Sequence, residues 1–120
     1  MTAILEMKFR IRVRLLHKDG QKPFYHWKYK VLFYDRDLVE DDFLGVSGLD
    51  KNGEATLSIT AKDYRSADSP MERYPDLYFT LEESGREIFR SPAWKDLHLE
   101  RNSIFTVPGG FVYNLGTVVI

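Results

Sequence analysis

The chain has 120 residues, of which 43% are apolar and 14% aromatic, with a net charge of -1 and no cysteine. A chain of that length suits one domain, residues 1–120, that buries roughly two thirds of its unfolded surface without covalent staples. The balance of charge argues against a nucleic-acid binder driven by overall charge. The missing Cys removes disulfides and thiolate chemistry, and no apolar run approaches the roughly 20 residues that span a bilayer.

Residues 7 to 15 alternate. Met7, Phe9, Ile11, Val13 and Leu15 share one side, and Lys8, Arg10, Arg12 and Arg14 the other, which is the period of a half-buried strand. Before it, the opening MTAILEMKFR is too polar for a signal peptide. The expectation is therefore a cytoplasmic protein if this N-terminus is native and an extracytoplasmic one if a leader precedes it. Lys18-Asp19-Gly20 reads as a turn closed by Pro23. Residues 27 to 34 alternate again, Trp27, Tyr29, Val31 and Phe33 against Lys28, Lys30, Leu32 and Tyr34. An acidic loop follows, and Phe43 to Leu49 is a short strand. Asp50-Lys51-Asn52-Gly53 is a hairpin signal, because Asn and Gly accept positive φ at little cost. Ala55, Leu57 and Ile59 alternate with Thr56, Ser58 and Thr60 as a fourth strand.

Residues 61 to 75 form the longest polar stretch, a loop with room for one helical turn. Leu77 to Leu81 is a strand with Leu77, Phe79 and Leu81 inward. Glu83-Ser84-Gly85 turns the chain into a short strand at Glu87 to Arg90. Ser91 to Ser103 reads as irregular, with Trp94 as a core plug after Pro92. Ile104 to Val107 and Phe111 to Ile120 complete the set, separated by Pro108-Gly109-Gly110. Seven or eight short strands with no helical stripe define an all-β class, a seven- to eight-stranded antiparallel β-sandwich. The last strand, Phe111 to Ile120, is a candidate edge for β-augmentation or homodimer pairing.

Three features carry chemistry. Asp35, Asp37, Glu40, Asp41 and Asp42 crowd five carboxylates into eight positions. Such crowding repels itself unless a cation, a basic partner or water answers it. Asp35, Asp37 and Asp42, with Asp41 as a further donor and Asp63 or Asp68 as contributors, are the candidate ligands for Ca2+. The other reading is a solvated loop with Asp35 bonding backbone amides. Lys8, Arg10, Arg12 and Arg14 form a basic ladder, extended by Lys28 and Lys30 if the strands are neighbours. It suits an anionic partner, or is an ordinary outward face balanced by Glu82, Glu83 and Glu87 across strands. Phe24, Tyr25, Trp27, Tyr29 and Tyr34 either stack on a sugar or peptide or lie half in the core. His17, His26 and His98 lack metal-ligand spacing, and no G-x-S-x-G marks a nucleophile.

Three segments resemble the transthyretin-like (prealbumin-like, carboxypeptidase regulatory-like) β-sandwich family. They are V-x-F-Y-D-R-D-L-V-E-D-D-F-L-G with the D-K-N-G-E-A turn over Val31 to Ala55, Tyr74-Pro75-Asp76-Leu77-Tyr78-Phe79 with Ser84-Gly85-Arg86 and Ile88-Phe89-Arg90-Ser91, and the terminal Tyr113-Asn114-Leu115-Gly116-Thr117-Val118. The resemblance implies a two-sheet sandwich that in most relatives is not catalytic. Its enzymatic branch hydrolyses 5-hydroxyisourate with histidines, an arginine and a C-terminal Tyr-Arg-Gly-Ser. This chain ends Gly-Thr-Val-Val-Ile, so that activity is not carried over. D-R-D-x4-D-F-L-G is also similar to a calcium loop of C2 domains, which would make Asp35, Asp37 and Asp42 ligands one residue closer than is usual there. The expectation is a non-enzymatic binding or accessory module that meets a protein partner or a second copy, with no required cofactor and Ca2+ as an optional ligand. The alternatives are a C2-like, calcium-dependent membrane-binding domain and a small hydrolase of the transthyretin-related type.

Overall fold

The period-two pattern of the first strand is realised side chain by side chain. Phe9, Ile11, Val13 and Leu15 are at most 1% exposed, while Lys8, Arg10 and Arg14 lie in solvent and Arg12 is half-buried. The computed structural model describes residues 8–37, 40–60, 74–106 and 110–120. Met7 and residues 61–73 of the long polar stretch, with its expected helical turn and with Asp63 and Asp68, lie outside them. The described residues form β1 (Lys8–Leu16), β2 (Tyr29–Asp35), β3 (Asp42–Ser47), β4 (Glu54–Thr60), β5 (Leu77–Glu83), β6 (Arg86–Arg90), α1 (Leu99–Asn102), β7 (Ile104–Thr106) and β8 (Gly110–Val119).

The strands make two four-stranded sheets, ordered β4-β1-β8-β7 and β3-β2-β5-β6, so the fold is an eight-stranded all-β sandwich. Every pairing is antiparallel except β1 with β8, which is parallel. The inward sides of both sheets form one core, with Ile11, Val13 and Leu57 from the first facing Val31, Phe33, Phe79 and Leu81 from the second. Burying each such side chain contributes about 1.5–3 kcal/mol. Trp94 packs half-buried against that core beside Phe79, their ring centroids 6.1 Å apart, as its plug role predicts.

Four sequence expectations change. Asp50 to Gly53 does turn, with the Gly53 amide donating to the Asp50 carbonyl at 2.9 Å, but β3 and β4 belong to different sheets. The buried Leu49 side chain carries the chain across the sandwich there, so the turn closes an arch rather than a hairpin. Ser91 to Ser103 is not wholly irregular. Leu77 bridges Trp94, and α1 follows with Leu97 and Leu99 buried at its start. β8 is not an edge along its whole length, since β1 flanks one side and β7 covers Gly110 to Val112 on the other. Phe111 to Ile120 is not a regular strand throughout, since Gly116 sits at φ 92 where the β1–β8 register slips by one residue. Glycine accepts that φ freely, and the resulting bulge keeps Thr117 beside Arg14 on the outer face.

Candidate functional site

The acidic loop is closed by bonds within the protein. Asp35 ends β2 with its side chain buried, 1% exposed, and accepts the Asp76 amide at 3.0 Å. The Arg36 amide donates to the Asp76 carbonyl at 2.8 Å, so the end of β2 is stitched to the approach to β5. Asp41 Oδ1 accepts the Asp37 amide at 3.0 Å, and Asp41 Oδ2 accepts the Tyr78 hydroxyl at 2.5 Å. Asp42 stands exposed at the start of β3, opposite Asp35 in register. The Tyr78 bond, then the Asp37 amide, holds the Asp41 carboxyl below its ordinary value of 3.8. Burial, then the bond to Asp41, pushes the Tyr78 phenol up to about 12. Guanidinium groups of Arg36 and Arg90 lie 5.9 and 5.3 Å from the Tyr78 ring centroid. Among the described residues, no three Asp, Glu or His side chains gather in a way that could hold a metal ion. Phe43 turns outward, 56% exposed and edge-on to Tyr34, and Leu44 is the residue that packs on the core.

The basic ladder is assembled differently from its expected form. Lys28 and Lys30 do not extend it, because β1 and β2 belong to opposite sheets. Glu82, Glu83 and Glu87 do not balance it, for the same reason. Their cationic partners lie within the β3-β2-β5-β6 sheet and its turns. Glu83 pairs with Lys28 at 3.2 Å, Glu87 with Arg90 at 3.0 Å, and Glu82 stands opposite Lys30. The Lys28 ammonium holds the Glu83 carboxyl below its usual range. Around β1 the neighbours are almost all neutral. Lys8, Arg10 and Arg12 face Thr60, Ser58 and Thr56 of β4. On the other side Arg10, Arg12 and Arg14 face Val112, Asn114 and Thr117 of β8. Glu54, opposite Arg14, is the one carboxylate in register with the ladder among the described residues. The Arg14 Nε donates to the Asn52 carbonyl at 3.0 Å.

The aromatic run divides. Phe24 is buried, stacked on His17 with centroids 3.6 Å apart and edge-on to Tyr29 at 5.2 Å. Trp27 is not the inward strand residue its alternation suggests, because β2 begins two residues later. The Tyr29 amide donates to the His26 carbonyl at 3.1 Å, closing a β-turn over 26–29 with Trp27 at its corner, 84% exposed. His26, Trp27 and Tyr29 of that turn, with Tyr25 (62% exposed), Lys30 and the Gly48–Leu49 crossover, line an open cleft of about 480 Å³. The turn lacks Gly, Pro, Asn and Asp, so no composition signal marks it, and the sequence likewise gives no hint that Gly48 reaches it.

No protein-family model matches the chain, and none of the curated proteins is significantly similar to it. Among solved structures it is similar to part of a 9R-lipoxygenase from Cyanothece PCC8801, with a TM-score of 0.59 and 17% identity over 100% of this chain. The chain spans 17% of that protein's length. It is also similar to the dioxygenase domain of a dioxygenase carbohydrate-binding protein fusion from Streptomyces sp. SirexAA-E, with a TM-score of 0.49 and 10% identity over 100% of this chain and 84% of that one. At 17% identity the lipoxygenase likeness concerns the fold alone.

Proposed function

We propose that the chain is a non-catalytic binding module that docks on an acidic protein partner through the outer face of its β4-β1-β8-β7 sheet. The observation that carries this reading is the contrast between the two sheets. On the β3-β2-β5-β6 side Lys28 and Arg90 pair with carboxylates and Lys30 stands opposite one, whereas Lys8, Arg10 and Arg12 stand between rows of hydroxyl, amide and apolar side chains. A sheet face has no structural need for charge left uncompensated among the described residues, and like charges two residues apart on one strand repel each other. Alternate residues of a strand lie roughly 6.8 Å apart, so an extended acidic segment can present carboxylates at the same repeat. Such complementarity raises association rates and selects partners more than it adds raw affinity.

The test uses a labelled peptide that alternates Glu with Thr, titrated with the full chain and followed by fluorescence anisotropy. Binding is expected at low ionic strength, with weakening as salt rises. The double variant Arg10→Glu/Arg12→Glu is expected to abolish it. Equal binding by the double variant would remove the ladder from the account.

A further inference from the structure

Trp27 presents most of a large apolar ring to water, and it does so from a braced position. The 26–29 turn is closed by its backbone bond, and the His26 Nδ1 accepts the Lys28 amide at 3.2 Å. Lys28 is tied to Glu83, and Phe24 anchors the preceding loop in the core. An exposed indole on a braced turn is a poor solution for stability and a good one for binding, since little backbone ordering entropy remains to be lost.

The groups around the ring define the ligand. With Nδ1 occupied as an acceptor, the neutral His26 carries its proton on Nε2 and offers a donor. Trp27 Nε1 and the Lys30 ammonium are donors only, and both residues line the cleft. Among the described residues no carboxylate or side-chain amide lines it, and Glu82, opposite Lys30 in register, stands outside the lining. A cleft with flat rings and a surplus of donors, one of them charged, suits a ligand that presents a C–H face, many acceptor oxygens and an anion. From this geometry we propose that the cleft binds an acidic glycan, stacking a uronate ring on Trp27 and receiving its carboxylate at Lys30. This site lies apart from the β1 ladder and goes beyond the docking function proposed above.

The probe is polygalacturonate, with a neutral β-glucan alongside, in affinity electrophoresis of the full chain. Retardation by polygalacturonate and not by the neutral polymer is expected. Trp27→Ala is expected to weaken it about tenfold. Gly48→Leu offers a second route, because a Cβ at Gly48 meets nothing within 4 Å and its φ is not left-handed. That variant keeps the fold, checked by its melting midpoint, and fills the cleft, so binding is lost. The ladder variant Arg10→Glu/Arg12→Glu is expected to bind as the parent does. Retardation that survives Trp27→Ala but fails in the ladder variant would place the polyanion on β1 and overturn the proposal. So would no retardation at all, or equal retardation by the neutral polymer.

Discussion

The Tyr78 hydroxyl donates to the Asp41 carboxylate at 2.5 Å, joining β5 to the acidic loop between β2 and β3. The two groups shift each other in opposite directions, and the shifts set a pH window. Asp41 is held below 3.8, so its contribution is complete above that value and is lost as pH falls through its lower folded value. Tyr78 is raised from 10.0 to about 12, so its contribution is complete below 10 and is lost as pH climbs to about 12. Tyr78→Phe is expected to lower the melting midpoint across the neutral range. The gap to the parent should shrink at both extremes. A gap that stays constant from acid to alkali would mean that the bond contributes nothing.

Ser91 is buried and serves two backbone groups at once. Its hydroxyl accepts the Phe79 amide at 2.9 Å and donates to the Pro92 carbonyl at 2.9 Å. Ser91→Ala leaves a buried amide of the central strand β5 without its partner, at about 1–3 kcal/mol. Urea unfolding should show a lower midpoint with an unchanged slope.

The strands were legible because their burial is one-sided. Lys8 to Leu15 alternates without interruption, and so do Glu54 to Thr60, so local order alone fixes which side chains enter the core. Which strands become neighbours was not legible. Nothing in Arg12 shows that Thr56 and Asn114 will flank it rather than Lys28 or Glu82, because that depends on four crossings between sheets, one of them at Leu49. The acidic loop was visible as a charge problem but not its answer. Tyr78 lies 37 residues from Asp41, and only folding brings it there. Trp27 was misplaced because its alternation runs on through a turn that carries no turn residue. The cleft followed from that turn and from Gly48, which are distant in the chain.

Gly53 and Gly116 both have positive φ, 78 and 92, yet their surroundings differ. A Cβ at Gly53 would lie 2.5 Å from the Leu15 carbonyl oxygen, a backbone atom that accepts the Phe24 amide and cannot retreat freely. A Cβ at Gly116 meets nothing within 4 Å. Gly116→Ala is therefore expected to cost about 1–2 kcal/mol for the left-handed backbone alone. Gly53→Ala should cost more than that and drag the β1–β2 loop with it. Equal losses in chemical denaturation would show that the close approach to Leu15 is not felt.

Arg10 stands between Lys8 and Arg12 on one face of β1, with Ser58 and Val112 to either side. Each like-charged neighbour two residues along repels it by roughly 0.6 kcal/mol in a water-like dielectric before salt is added. Removing the charge while keeping a long side chain should therefore relieve strain rather than create it. Arg10→Gln is expected to raise the melting midpoint relative to the parent at about 10 mM salt, and the gain should fade by about 0.3 M as screening shortens the reach of each charge. The same substitution should weaken the acidic peptide, so stability and binding move in opposite directions. That opposition separates a docking face from an ordinary outward strand. A variant less stable at both salt levels would show that Arg10 has a supporting partner in the folded chain, and the ladder would then be structural.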